Sequence, residues 1–130
     1  MHKLFLLTGT LLGGLSVMIG AFGAHALRAS LAATGRADTF ETAVKYQFYH
    51  ALALVMLGLF LYRTDSVIAA GTRLFDYAGY CFMGGMLIFS GSLYILCLSN
   101  VGKWGAVTPI GGVFLIAGWA LWAWGIATKL

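Results

Sequence analysis

The chain has 130 residues, of which 61% are hydrophobic and 9% are charged. A typical soluble domain has about 25% charged residues, so this composition excludes an ordinary water-soluble protein. The net charge of +4 comes from scattered Lys and Arg residues without a basic cluster. Nucleic acid is therefore excluded as a partner, and the charges are interpreted as headgroup anchors and topology signals.

Four long apolar stretches fill nearly the whole chain, at residues 4–24, 43–62, 77–98 and 106–128. Each has at least 20 residues, and the charged residues lie at or near the ends. A helix needs about 20 apolar residues to cross a hydrocarbon core about 30 Å thick. The sequence therefore predicts an all-α integral membrane protein with one domain over residues 1–130. We expect a compact bundle of four transmembrane helices with glycine-rich interfaces.

The first stretch imitates a secretory signal peptide. His2 and Lys3 precede it, and Ala24-His25-Ala26 follows it as a small-residue cleavage site. However, the apolar run is longer than the usual 7–15 residues, and three more stretches follow. We therefore predict an uncleaved first helix.

The second stretch begins with a predicted capping box, in which Asp38 is the cap and Glu41 follows three residues later. Glu41 and Lys45 are four residues apart, so they are expected to form an ion pair at the headgroups. Arg63 ends this stretch, and the connector to residue 73 is short. The second and third helices are therefore predicted to be antiparallel neighbours.

Residues 99–102 are expected to end the third helix. Thr108-Pro109 is typical of a cap followed by proline at the first position of a helix. Three tryptophans of the fourth stretch are predicted to form an interfacial belt, namely Trp119, Trp122 and Trp124.

Glycines recur at seven-residue intervals in three of the stretches. The members of these series are Gly13 and Gly20; Gly84 and Gly91; and Gly111, Gly118 and Gly125. Small residues let helix backbones approach closely in lipid, and this period favours left-handed packing at about +20°. A compact bundle is the preferred interpretation. The alternative is that the same glycines form an interface between two copies of the chain, and the sequence does not separate the two interpretations.

Several polar residues at membrane depth are predicted to lie in the same leaflet, the one in which the first stretch ends. They are His25, Gln47, His50, Ser90, Ser92, Tyr94 and Thr108. Polar side chains in hydrocarbon are often functional, but they also bond helices to one another. We predict that His50 is buried, uncharged and bonded to Ser90 or Ser92. A ligand or proton site at these residues is the alternative.

The sequence has no recognisable triad, phosphate loop or paired intramembrane carboxylates, so an enzyme is unsupported, and no cofactor or metal is predicted. The preferred function is a small scaffold or accessory subunit. The alternative is a binder or carrier of a lipid, quinone or small ion at a His25/His50 pocket. A membrane enzyme with His50 as acid or base is a weaker third hypothesis.

Four ordered motifs carry a family resemblance. They are GAFGAHAL at 20–27, YQFYHAL at 46–52, FSGSLY at 89–94 and TPIGG at 108–112. Together they resemble the domain-of-unknown-function family numbered 423, the YgdD-like small inner-membrane proteins. The resemblance implies a four-span protein of the bacterial inner membrane and implies no activity. Phe40 departs from the family pattern, where a Trp is expected.

Orientation is not determined by charge, because four Lys or Arg residues lie on each side of the membrane. Relatives in the resembled family tend to end in a basic tail, which favours cytoplasmic termini. The expected partners are membrane lipids, with a homo-oligomer or a larger membrane complex as further candidates.

Overall fold

The computed structural model describes residues 1–64 and 73–129 and is all-helical in these ranges. The long helices are α1 (His2–Ala24), α3 (Ala37–Thr64), α4 (Arg73–Ser99) and α5 (Thr108–Lys129). A short helix, α2 (Arg28–Ala33), and a 3₁₀ turn (Gly102–Ala106) complete the fold. The four long helices are apolar and long enough to cross a membrane, which confirms the predicted class. Most of the predicted short connector before α4 lies outside the described residues, as does the Lys129 side chain.

The long helices form two antiparallel pairs, α1 with α3 and α4 with α5, and the pairs meet mainly where α3 contacts α4. Ser90 of α4 contacts Ala43 of α3 near the end of the bundle that holds α2 and the 3₁₀ turn, while Phe60 and Phe75 contact each other near the opposite end. This order of contacts confirms that α3 and α4 are antiparallel neighbours. We call the end with α2 and the 3₁₀ turn the connector end, and the other the terminal end.

The start of α3 differs from the predicted capping box. The helix begins at Ala37, so Asp38 lies in its first turn and is not the cap. The preceding helix ends in a Schellman motif, in which Arg36 N–H donates to Leu31 O at 2.8 Å and Gly35 N–H donates to Ala32 O at 3.2 Å. Gly35 has a left-handed φ of 67°. This tight turn lets α3 start immediately after it.

The largest apolar core fills the terminal half of the bundle. Phe5, Leu54, Leu57, Phe75 and Phe82 are completely buried there. A smaller cluster lies at the connector end and is built around Leu31, Phe40, Leu96 and Cys97. The polar residues of the candidate site lie between these two clusters or beside them.

The glycine series of α5 faces α4. A Cβ atom at Gly111 would overlap the backbone of Phe89, and one at Gly118 or Gly125 would lie 2.6 Å from the ring of Phe82 or Phe75. On α1, a Cβ at Gly20 would meet Val44 at 3.2 Å, and one at Gly13 would make only ordinary contact with Ala51 at 3.9 Å.

The glycine series of α4 behaves differently. A Cβ at Gly84 or Gly91 would meet no other atom within 4 Å in the described part of the chain. The packing predicted for these two glycines therefore does not occur within one copy. Gly85 contacts α5 instead, because a Cβ there would lie 2.5 Å from the side chain of Leu115. Adjacent helical positions point about 100° apart, so Gly84 points away from this contact.

Candidate functional site

Gln47 connects three helices. Its Nε2 donates to the backbone oxygen of Leu12 at 3.0 Å, and its Oε1 accepts from the Tyr94 hydroxyl at 2.8 Å. The side chain is buried between α1, α3 and α4. Both ends of the amide are therefore used by the protein itself.

Two serines of α4 bond the neighbouring helices on either side. Ser90 Oγ donates to the backbone oxygen of Ala43 on α3 at 2.7 Å. The hydroxyls of Ser92 and Thr108 lie 2.7 Å apart, which connects α4 to the start of α5. Both serines are buried. Ser90 therefore bonds the two helix pairs together, whereas Ser92 acts within the second pair.

His50 lies near the middle of α3 and bonds to Trp119 on α5. Trp119 Nε1 is within 3.2 Å of His50 Nε2, and His50 Nδ1 is 2.8 Å from the backbone oxygen of Tyr46. An indole nitrogen only donates and a carbonyl only accepts. His50 Nδ1 must therefore carry the proton while Nε2 accepts, which makes the ring neutral in this arrangement.

The prediction that His50 bonds to Ser90 or Ser92 is wrong. Because α3 and α4 are antiparallel, Ser90 lies beside Ala43, about two turns of α3 before His50. At the level of His50, α4 contributes the ring of Phe82, whose centroid is 5.7 Å from the imidazole centroid. The acceptor on His50 is therefore satisfied by α5.

His25 is not part of this network. It follows the last residue of α1, and its side chain is exposed. Its backbone N–H donates to Ala21 O at 3.1 Å, which continues the helical bonding of α1. Neither of the two cavities described below is lined by His25. The structure therefore does not bring the two histidines into one pocket.

Sequence reasoning placed Trp119 in an interfacial belt and missed its bond to His50. Its position near the middle of α5 was the available signal, since belt residues lie near the ends of a span. The indole ring stacks on Trp122 at 5.6 Å and meets Phe82 edge-on at 5.2 Å. These contacts hold the N–H in place toward His50.

A cavity of about 490 Å³ opens beside His50, between α3 and α5. Aromatic and imidazole rings line most of it, from Tyr46, Tyr49, His50, Phe89 and Trp119, and the remaining wall is Gly112, Leu115 and Ile116. Tyr46 and Phe89 stack at 4.5 Å and form one side. We call this space the His50 cavity. Its volume lies within the range of small-molecule sites.

A second cavity, of about 540 Å³, lies at the connector end between α1, α2 and α3. Its wall is apolar except for Arg28 and Glu41. Glu41 Oε1 accepts from Lys45 Nζ at 2.8 Å, which confirms the predicted ion pair. We call this space the Arg28 cavity. Sequence reasoning did not single out Arg28, since one cation after a span is an ordinary feature.

The family model described as "Protein of unknown function (DUF423)" matches residues 19–112. The chain belongs to the DUF423 family. A UPF0382 membrane protein of Staphylococcus haemolyticus is 42% identical over 92% of this chain and 91% of its own length. The UPF0382 inner membrane protein YgdD of Escherichia coli is 36% identical over 92% of this chain and 86% of its own length. No solved structure matches.

The part of the chain that matches the DUF423 model contains most of the hydrogen-bonded side chains described above. Gln47, His50, Ser90 and Tyr94 all lie within residues 19–112. Trp119 lies beyond them. These hydrogen bonds are thus formed mainly by side chains within the matched range, while Leu12 O of α1 and Trp119 of α5 are partners from outside it.

One buried polar atom has no partner among the described residues. Trp122 Nε1 is buried and makes no hydrogen bond there, although its ring packs against Phe82 and Trp119. An unsatisfied buried donor costs about 1–3 kcal/mol. Trp122 is therefore held in place by the packing of its ring, whereas Trp119 also forms a hydrogen bond.

Proposed function

We propose that this DUF423 protein is a non-catalytic scaffold or accessory subunit of the bacterial inner membrane. The named inner-membrane location of the Escherichia coli relative and the four apolar helices support the location. Both termini are assigned to the cytoplasm on the resemblance described above. Closely packed glycines and interhelical hydrogen bonds are proposed to hold the helices in a rigid arrangement, to which a partner protein binds.

One observation carries this proposal: the polar side chains of the candidate site are used by the bundle itself. Gln47, His50, Ser90 and Ser92 are buried, and each has a partner on another helix. A general acid or base must reach a proton on its substrate, so it needs a free donor or acceptor facing a cleft. The described arrangement supports polar bonding between helices more than it supports catalysis.

The face of α4 that carries Gly84 and Gly91 is the proposed contact with another membrane subunit or a second copy. Leu87 lies on the same face and is 68% exposed. Leu11 on α1 is similarly exposed, at 64%, and serves as a matched control. The two positions have the same side chain on different helices, so they compare the faces directly.

The test is photocrosslinking in intact cells with a benzophenone amino acid at position 87 or 11. A discrete protein adduct from position 87, with a much weaker one from position 11, is the expected result. Mass spectrometry of the adduct distinguishes a second copy of the chain from another subunit. Adducts with lipid alone at both positions would contradict the scaffold proposal.

A second candidate function is binding of a quinone or another flat amphiphile in the His50 cavity. The specific support is the aromatic lining, since stacked rings favour a planar ligand. Quenching of tryptophan fluorescence by a short-chain quinone tests it in detergent. Trp119→Phe should reduce the amplitude of saturable quenching, because it removes the indole that lines the cavity, whereas Trp124→Phe, which removes an exposed indole outside the cavity, should retain it. Linear quenching in all variants would exclude this site.

A further inference from the structure

The Arg28 cavity has an apolar wall and a charged rim. Gly20, Gly23 and Ala24 of α1 form one side, and Phe40 and Val44 of α3 form the other. Arg28 and Glu41 lie at the end nearest the water, because they occupy the first residue of α2 and the first turns of α3. The cavity therefore has the polarity profile of the boundary between headgroups and acyl chains.

Charge at the rim is uneven. Glu41 is already paired with Lys45 at 2.8 Å. The Arg28 side chain is exposed and forms no hydrogen bond or ion pair with any described residue. Arg36 is the nearest other Arg in the sequence, but it does not line the cavity, and its Nε donates to Asn100 Oδ1 at 3.4 Å. Of the two charged residues that line the cavity, Arg28 is therefore the one without an ion-pair partner among the described residues.

We propose that the Arg28 cavity binds one anionic phospholipid. The phosphate lies on the Arg28 guanidinium, and the glycerol and upper acyl chain lie against Gly20, Ala24 and Val44. Arginine is suited to phosphate because its planar donors match two phosphate oxygens at once. This site is separate from the His50 cavity and does not depend on the scaffold proposal.

Charge complementarity selects an anionic lipid over a zwitterionic one. A phosphatidylglycerol headgroup has a single negative charge, which matches the single positive charge of the unpaired Arg28 side chain. Phosphatidylcholine adds a quaternary ammonium group, which would lie beside Arg28 and Lys45. Glu41 offers little compensation for that cation, because its carboxylate is engaged by Lys45.

The experiment compares lipid binding by the full chain in detergent, using native mass spectrometry and thermal unfolding. The probes are phosphatidylglycerol, phosphatidylcholine and inorganic phosphate. The wild-type protein should retain phosphatidylglycerol preferentially and be stabilised by it. Arg28→Gln should weaken this binding about five-fold, which corresponds to the roughly 1 kcal/mol expected for one cation near an anionic membrane surface.

Two further variants separate the site from a general effect of charge. Lys103→Gln removes an exposed cation of the 3₁₀ turn, outside the cavity, and should leave phosphatidylglycerol binding unchanged. Ala24→Phe keeps Arg28 but fills the cavity, so it should also reduce binding. Unfolding without added lipid checks that each variant is folded.

Several outcomes would overturn the proposal. Equal retention of the two phospholipids by the wild-type protein would exclude selection by charge. An equal loss in Lys103→Gln and Arg28→Gln would assign the effect to net charge. Saturable stabilisation by inorganic phosphate alone, with the same loss in Arg28→Gln, would identify a phosphate site and not a lipid site.

Discussion

The contacts within the two helix pairs differ in kind from the contacts between the pairs. Within α1 and α3, a Cβ at Gly9 would lie 2.7 Å from Ala51 O, and one at Gly58 would lie 2.8 Å from Leu6 Cγ. Within α4 and α5, Gly85, Gly111 and Gly118 are equally close to the opposite helix. The backbones of each pair therefore approach so closely that no larger side chain fits at these positions.

Between the pairs, side-chain hydrogen bonds and rings provide most of the specific contacts. Tyr94 donates to Gln47, Ser90 to the oxygen of Ala43, and Trp119 to His50. At the terminal end, the Phe5 ring of α1 fits over Gly79 of α4, a close approach of the kind seen within the pairs. The connection between pairs thus combines a few directed hydrogen bonds with ring contacts, among them Tyr46 with Phe89, Phe60 with Phe75, and the inserted ring of Phe5.

This difference has an energetic consequence. Overpacking a tight contact costs about 1–3 kcal/mol and sometimes more, because backbones must separate. An interhelical side-chain hydrogen bond in a membrane averages about 0.6 kcal/mol, because the groups find other partners when it breaks. We therefore expect substitutions at the tight glycine contacts within a pair to lower the free energy of unfolding strongly. Loss of a single hydrogen bond between the pairs should lower it less.

The largest expected effect is overpacking within a pair. Gly118→Leu places its side chain against Phe82 and the backbone of Ala78, and should lower the free energy of unfolding by about 1–3 kcal/mol or more. Gly84→Leu is the matched control, because its Cβ meets nothing in the described part of the chain. Reversible unfolding in mixed micelles measures both. Equal losses would show that the two glycine series do not differ.

The second effect is loss of the bridging amide between the pairs. Gln47→Leu removes the bonds to Leu12 and Tyr94, so two average bonds predict a loss of about 1.2 kcal/mol in the free energy of unfolding. Tyr94→Phe removes one of them and should cost about half as much. In a double-mutant cycle, Tyr94→Phe should have almost no effect in the Gln47→Leu background. Additive losses would exclude a direct bond.

The third effect concerns the bond from Trp119 to His50. Trp119→Phe should cost about 0.6 kcal/mol for that bond, plus a packing term from the smaller ring. His50→Gln keeps donor and acceptor groups and should cost little. Nitrogen NMR of labelled histidine provides a direct check, because Trp119→Phe should change the Nε2 resonance of His50. An unchanged resonance would exclude the bond.

Trp122 provides a contrast for the same measurement. Trp122→Phe removes an unsatisfied donor, a gain of about 1–3 kcal/mol, and also removes packing volume, a loss of similar size. The net change in the free energy of unfolding should be within about 1 kcal/mol of zero. A much larger loss would show that the packing of the indole ring outweighs the cost of its unsatisfied donor.

The smallest expected effect on a single chain is at the outer face of α4. Gly84→Leu and Gly91→Leu should leave the stability of the monomer unchanged, since neither Cβ meets another described atom within 4 Å. The size of the detergent complex, measured by light scattering, is the informative quantity. A shift from dimer to monomer would identify a seam between copies. A wild-type protein that is monomeric at all concentrations would exclude that seam.

The sequence alone was sufficient to predict the number of long helices and the approximate positions of most of their ends. Hydrocarbon thickness sets the length of a span, so apolar runs of at least 20 residues specify four helices without knowledge of their packing. Ser99-Asn100 ends α4 as expected, and Asn100 adopts the left-handed φ of 55° typical of a helix end. Glu41 and Lys45 also pair as predicted, because one turn of their own helix brings them together.

Only the tertiary structure decided which neighbour each residue meets. A seven-residue period places Gly84 and Gly91 on one face of α4, but α4 is rotated so that this face points away from α5. Gly85 lies at the contact with α5 instead. His50 was correctly predicted to be buried, yet its partner is Trp119, because the register of α3 against α4 leaves Ser90 two turns away. Rotation and register are set by side chains from several helices packing simultaneously. No single stretch of sequence contains that information.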